Sequence, residues 1–263
     1  MISIENGELL YEVRDHVAYI TINRPERRNA ISAPVRQDLI QLLDDINFDN
    51  DIWALIITGA GDKAFCAGGD LKEKNKQAEE KKRISIPMCG LYRNLYETML
   101  TCYKPTIAVI NGFAVGGGFE LALACDLRIA APGVKLGVPE AKRGLGANFA
   151  STLLPQMIPR AKAMEMLYTA EFITSEEAER WGLVNKVVPF EELQDAAEEM
   201  VRKIVANAPL SLRRYKNVAV KTWGMQPMAA LRMDVGPNPY LSEDRAEGVR
   251  AFVEKRTPEW KNR

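Results

Sequence analysis

Apolar positions along this chain change their period near residue 140. Before it they come mostly in short runs. Leu9–Val13 and Val17–Ile22 run apolar or alternate on either side of Arg14-Asp15-His16, the pattern of a β-hairpin. Ser32 and Pro34 mark a helix start, and Val35, Leu39, Leu42, Leu43 and Ile46 then recur at helical spacing, giving one core-facing stripe. The unbroken run Ile52–Thr58 predicts a buried strand, ended by Gly59-Ala60-Gly61. Met88, Leu91, Leu95, Met99 and Cys102 form a second helical stripe, and Thr106–Ile110 a second buried strand. Glu120–Ala124 reads as helix, with Leu127–Ala130 and Lys135–Gly137 extended.

After residue 140 the helical period dominates. Ala161–Tyr168, Ser175–Trp181, Glu191–Ala206, Leu210–Thr222 and Glu243–Lys255 read as helices, with only Leu183–Val188 strand-like. An α/β class follows: repeated strand-strand-helix units, then a helical appendage. The expected division is a core over residues 1–200 and a helical region over 201–263, without a low-complexity linker between them.

Composition narrows the functions this architecture could serve. The chain has 263 residues, 47% hydrophobic and 27% charged, in the ordinary range for a globular enzyme. Lys+Arg and Asp+Glu balance at 35 each, so no global field draws nucleic acid or an anionic membrane. No apolar run approaches the roughly 18–20 residues a membrane-spanning helix requires. Met1–Gly7 lacks the basic and apolar regions of a signal peptide, which makes the cytoplasm the expected location. Cys66, Cys89, Cys102 and Cys125 show no Cys-x-x-Cys spacing and no neighbouring histidine, so buried packing is expected and zinc is not. The single histidine, His16, sits at the hairpin turn, which removes Ser-His-Asp and Cys-His chemistry. Lys72–Arg83 is nearly all polar, and reads as a solvated segment or as a flap whose lysines meet a phosphorylated ligand.

The remaining chemistry lies in glycine turns and carboxylates. Phe65-Cys66-Ala67-Gly68-Gly69-Asp70 and Gly116-Gly117-Gly118 each lie between an extended segment and a probable helix. Amides at a helix start are unpaired and face a dipole that favours negative charge, and glycine lets a ligand approach them. The amides of Gly69 and Gly117 are therefore the expected oxyanion donors. Glu120 follows the second turn, and Glu140 follows Pro139. Either alone is an ordinary helix-start carboxylate. Together with two turns inside Cys66–Glu140, they suggest a pair that holds and activates water. Gly144-Leu145-Gly146 lacks the third glycine of a dinucleotide site, and neither a P-loop nor a Gly-x-Ser-x-Gly elbow occurs.

Several segments resemble the crotonase (enoyl-CoA hydratase/isomerase) superfamily. They are Asn23-Arg24-Pro25 with Arg28-Asn29-Ala30, Ala64–Leu71, Pro105–Gly112, Gly116–Asp126 and Ser242–Arg256, in the family's order over essentially the whole chain. The resemblance implies a spiral of ββα repeats with a C-terminal helical trimerisation region, assembled as a homotrimer or homohexamer. It implies acyl-CoA thioester substrates, with the thioester oxygen on the Gly69 and Gly117 amides and no cofactor beyond the coenzyme A of the substrate. Hydratases of the family carry both glutamates, here Glu120 and Glu140. Ala30, Ala67, Asp70, Leu71 and Lys72 match CoA-binding positions, as do Phe252 and Lys255, often on a neighbouring subunit. Hydration of an enoyl-CoA is the activity implied. Isomerisation or hydrolysis by the same scaffold, or non-catalytic acyl-CoA binding, are the alternatives. The chain departs from the family after Glu140, where Gly144–Ser151 is one residue shorter than usual and lacks a Gly-Gly pair. That loop, with Asn148, Phe149 and the Met88–Tyr96 helix, is expected to shape the acyl end of the pocket. Pro139–Lys142 and Leu154–Pro159 are similar to carnitinyl-CoA dehydratases.

Overall fold

Two sheets form because successive strands of each repeat are dealt alternately between them. The computed structural model describes residues 2–4, 7–70, 80 and 93–263. In chain order the elements of the core are β1 (Ile2–Ile4), β2 (Leu9–Arg14), β3 (Val17–Ile22), α1 (Ala33–Phe48), β4 (Ala54–Gly59), β5 (Ala64–Cys66) and α2 (Leu95–Leu100). They continue with β6 (Thr106–Ile110), β7 (Phe113–Val115), α3 (Gly117–Ala124), β8 (Leu127–Ala130) and β9 (Lys135–Gly137). Next come α4 (Asn148–Met157), α5 (Arg160–Thr169), β10 (Ile173–Thr174), α6 (Ser175–Arg180), β11 (Lys186–Val187) and α7 (Leu193–Val205). The tail holds α8 (Pro209–Lys221), α9 (Pro227–Ala230) and α10 (Glu243–Glu254).

One sheet has the order β1-β2-β3-β4-β6-β8-β11 and the other β10-β9-β7-β5. Thus β4 and β5, β6 and β7, and β8 and β9 each place one strand in each sheet. The long strands β4 and β6 bury both faces, which is why their sequences run apolar without alternating. The β2–β3 hairpin turns through Asp15 and His16 at φ 48° and 65°, the paired positive angles of a tight hairpin turn. His16 is exposed and stacks flat on Trp53 at 3.8 Å. Ser32 caps α1 by accepting from the Val35 N–H, and all the stripe residues of α1 are buried. Cys66, Cys102 and Cys125 are buried; Cys89 and the start of the second stripe, Met88 and Leu91, lie outside the described residues.

Leu183–Val188 differs from its sequence pattern. Only Lys186 and Val187 pair with β8, while Leu183 and Val184 are buried in a turn after Gly182 at φ 75°. A buried turn carries the same apolar run as a buried strand.

Polar contacts of Lys216 and Asn262 tie the tail to the core. Lys216 on α8 is buried, pairs with Asp126 at 2.8 Å and donates to the Lys104 carbonyl at 3.0 Å. The buried Lys104 ammonium bonds the Ile46 and Asp49 carbonyls at the end of α1, and burial lowers its pKa to about 8. Asn262 donates to the Asn50 carbonyl at 2.7 Å. The boundary expected at residue 200 falls inside α7. Most of the large apolar side chains exposed among the described residues belong to Tyr215–Val253, with Leu231 77% and Leu241 85% exposed. No helix of the described residues is long and apolar enough to cross a membrane.

Candidate active site

Neighbouring strand ends assemble this site. In the smaller sheet β5, β7 and β9 lie side by side and parallel, with Cys66 opposite Ala114 and Val115 opposite Gly137. Parallel strands end at one edge, so the segments that follow them meet there. After β5 comes Gly68-Gly69-Asp70, after β7 Gly116-Gly117-Gly118, and after β9 the short 3₁₀ turn Pro139–Arg143 bearing Glu140.

The first two turns touch. Gly68 has φ 85°, and a side chain there would lie 2.8 Å from the Val115 carbonyl oxygen and 3.0 Å from the Gly117 nitrogen. Gly68, Gly116 and Gly118 are buried, whereas Gly69 and Gly117 keep partial exposure. Gly69 is pinned by a parallel bridge to Ile31, through Ile31 N–H on the Gly68 carbonyl (2.8 Å) and Asp70 N–H on the Ile31 carbonyl (3.2 Å). Gly117 is the first residue of α3, ahead of the first intrahelical bond from Glu120 N–H to the Gly116 carbonyl (2.9 Å). Both of these glycines thus keep some exposure while their neighbours Gly68, Gly116 and Gly118 are buried. Each residue of the triple glycine has its own steric reason. A side chain at Gly118 would overlap the Cys66 carbonyl, one at Gly117 the Tyr96 hydroxyl, and one at Gly116 would lie 2.5 Å from Glu140 Oε1.

Glu120 is buried on α3, and its Oε1 accepts from the Phe149 N–H (3.1 Å) and the Ala150 N–H (3.0 Å). These amides belong to the first turn of α4, whose own N-cap Ala147 supplies no side-chain bond. Glu120 therefore caps α4 from another helix, and two bonds fix the plane of its carboxylate. Glu140 approaches from the neighbouring strand end, that of β9, and lies against Gly116. The charges of both carboxylates act on Tyr96, whose hydroxyl lies beside Gly117.

Periodicity gave no sign of Tyr96. It lies off the apolar positions of the second stripe, and only the fold shows its hydroxyl against Gly117. Its ring packs on Phe149 with centroids 5.3 Å apart. Burial, then the charge of Glu120, with Cys66 and Glu140 adding and Arg36 opposing, holds its pKa well above the usual 10. Cys66 shares this neighbourhood, but burial pushes its thiol up to about 12, against a bond from the Gly68 N–H. A neutral, buried thiol is no nucleophile.

Of the expected CoA positions, Ala30, Ala67 and Asp70 are brought beside Gly69. Arg24 donates to the Ala30 carbonyl (2.6 Å), pairs with Asp70 (3.4 Å) and with Glu8 (2.8 Å), and the Ala67 N–H donates to the Arg28 carbonyl (3.1 Å). Leu71 and Lys72 lie outside the described residues, as does Lys72–Arg83 apart from Glu80. Phe252 is 85% exposed on α10 and Lys255 is exposed at its end, so one chain does not gather them into the group around Glu120.

Residues 12–263 match the family model described as enoyl-CoA hydratase/isomerase. The chain belongs to the enoyl-CoA hydratase/isomerase family. It is 41% identical over 257 residues to the (E)-benzylidenesuccinyl-CoA hydratase of Thauera aromatica, covering 94% of this chain and 96% of that one. It is 35% identical over 267 residues to the short-chain-enoyl-CoA hydratase of Clostridium acetobutylicum, covering 99% and 100%. The crystal structure of an enoyl-CoA hydratase from Mycobacterium tuberculosis H37Rv superposes with a TM-score of 0.86 at 36% identity, over 97% of this chain and 99% of that chain. The crotonase-like α/β fold implied by the sequence motifs is the fold observed.

Proposed function

We propose that this family member is a hydratase-type lyase, adding water to or removing it from the C2–C3 bond of an acyl-CoA thioester. One observation carries the reading: the Gly117 nitrogen stands beside the second turn at Gly68, Glu140 lies against Gly116, and Glu120 and Glu140 both act on the Tyr96 hydroxyl at Gly117. Relatives named as hydratases, at 35–41% identity over nearly the whole chain, support it.

The Gly69 and Gly117 amides polarise the thioester carbonyl and stabilise the enolate-like state that follows addition. One glutamate takes a proton from water as its oxygen bonds to C3. The C2–C3 π pair moves to C2, which receives a proton from the other glutamate. Dehydration runs the same steps in reverse. Amide dipoles supply the polarisation and carboxylates the proton transfer, so the mechanism calls on neither metal nor redox cofactor. Ala30, Ala67, Asp70, Leu71 and Lys72 are the CoA-binding positions in this reading. Phe252 and Lys255 reach CoA from a second subunit, and the exposed apolar tail is the surface covered in a trimer or hexamer. The location that fits is the cytoplasm.

The test is hydration of crotonyl-CoA and of branched and carboxylated enoyl-CoAs by wild type and Glu140→Gln. Turnover should fall at least about 10²-fold in the variant, the usual loss of acid–base help. Incorporation of ¹⁸O from labelled water separates hydration from isomerisation. A label-free shift of the double bond, or a Glu140→Gln enzyme of undiminished rate, refutes the reading.

A further inference from the structure

Tyr96 has no part in the two-glutamate scheme, yet its backbone and ring are each held in place and its hydroxyl lies against the Gly117 turn. The backbone beneath it is fixed by the capping box of α2: Asn94 Oδ1 accepts from the Tyr96 N–H (2.9 Å) and the Glu97 N–H (3.1 Å), and Glu97 Oε2 accepts from the Asn94 N–H (2.8 Å). Its ring leans on Phe149, the residue whose amide orients Glu120. Its oxygen fills the space that a side chain on Gly117 would need, while Glu140 Oε1 does the same at Gly116. Phenol oxygen and carboxylate thus stand over adjacent residues of one turn.

The chemistry of that position limits what the phenol does. Two carboxylates and burial keep it protonated, so it acts as a donor and not as a base. In the proposed reaction two oxygens come to lie in the site. The thioester oxygen has two lone pairs, and the Gly69 and Gly117 amides occupy both. The second oxygen is the one gained or lost at C3, between the glutamates. We propose that the Tyr96 hydroxyl donates a hydrogen bond to the C3 oxygen, making Tyr96 a third catalytic residue that recognises 3-oxygenated acyl groups and steadies the departing oxygen in dehydration. The phenol keeps its proton throughout, so the proton balance stays with the glutamates.

The inference rests on the hydratase reading for its reaction but has its own readout in binding. Acetoacetyl-CoA carries an oxygen at C3 and butyryl-CoA none. Titration calorimetry of wild type and Tyr96→Phe with both esters compares them, with urea midpoints to verify that the variant is folded. Tyr96→Phe keeps the ring on Phe149. It should bind acetoacetyl-CoA about tenfold more weakly, the effect of one lost neutral hydrogen bond, with butyryl-CoA within twofold. Its kcat for hydration should fall by a similar factor while KM stays within about threefold. Equal changes for the two esters, no change, or no acetoacetyl-CoA binding by wild type overturns the role. Failure of wild type to hydrate any enoyl-CoA would sink the hydratase reading instead, and the contrast between the esters would still report on Tyr96.

Discussion

Replacing Glu120 separates two tasks that one side chain performs. Glu120 Oε1 holds the Phe149 and Ala150 amides at 3.1 and 3.0 Å, and the proposed chemistry uses the same carboxylate. In Glu120→Gln the amide oxygen keeps both bonds, which turns the NH₂ toward the reacting centre. Stability falls by only about 1 kcal/mol, from losing a negative charge at a helix N-terminus. Turnover falls by about 10²–10⁴, because an amide neither takes nor gives the proton. In Glu120→Ala both amides are orphaned in a buried setting, at about 1–3 kcal/mol each, so the fold loses about 2–6 kcal/mol as well. Urea midpoints and hydration of crotonyl-CoA, followed through loss of the conjugated thioester absorbance, measure the two effects in the same preparations. The reasoning would be falsified if Glu120→Gln retained more than about a tenth of wild-type turnover. It also fails if Glu120→Ala proved as stable as Glu120→Gln, since the cap would then be worthless.

A methyl group at Gly117 collides with the Tyr96 hydroxyl, so Gly117→Ala should lose stability and activity together. Adding Tyr96→Phe clears the space, and the double variant should recover about 0.5–3 kcal/mol relative to additivity in a urea double-mutant cycle; strict additivity would contradict the contact. The pH dependence of stability should turn near pH 9. Burial lifts the Cys66 and Cys125 thiols to about 12 and Cys102 also upward from 9.0, so the fold keeps protons that the unfolded chain releases above that pH, and stability is lost as pH rises. Lys104, lowered to about 8 from 10.5, acts oppositely and holds the curve level below pH 9. Urea unfolding should therefore show a loss of about 1 kcal/mol between pH 9 and 10, and a gain there would refute the assignment. Finally, if the proposed trimer or hexamer is closed by the exposed apolar tail, Leu231→Asp and Leu241→Asp should split it in sedimentation, because each leucine buried in a subunit contact contributes about 1.5–3 kcal/mol. Unchanged sedimentation would place the interface elsewhere.

Local signals in the chain were enough for most of its longer elements, though not for the helix Asn148–Met157, and they named candidates for its chemistry. The hairpin, the Ser32-capped helix, the buried strands and the two glycine turns each depend on neighbours in sequence: an alternation, a cap, a run, a residue with positive φ. Glu120 and Glu140 stood out because each closes such a motif. Other features depended on residues far apart in the chain. Leu183–Val184 carries the apolar signature of a strand but is a buried turn, since burial and not pairing determines composition.

Convergence at the site was decided by the parallel pairing of β5, β7 and β9, a non-local arrangement that brings Gly69, Gly117 and Glu140 to one edge. The capping of α4 by Glu120 spans residues 29 and 30 positions apart, and no spacing rule anticipates it. The sequence pointed to the Met88–Tyr96 segment as part of the pocket but not to the Tyr96 side chain, because its significance lies in a contact with Gly117. The sequence by itself determined which groups could do chemistry, since backbone freedom and side-chain type are local properties. Only the tertiary structure decided where they face one another, because that depends on which strand ends lie side by side.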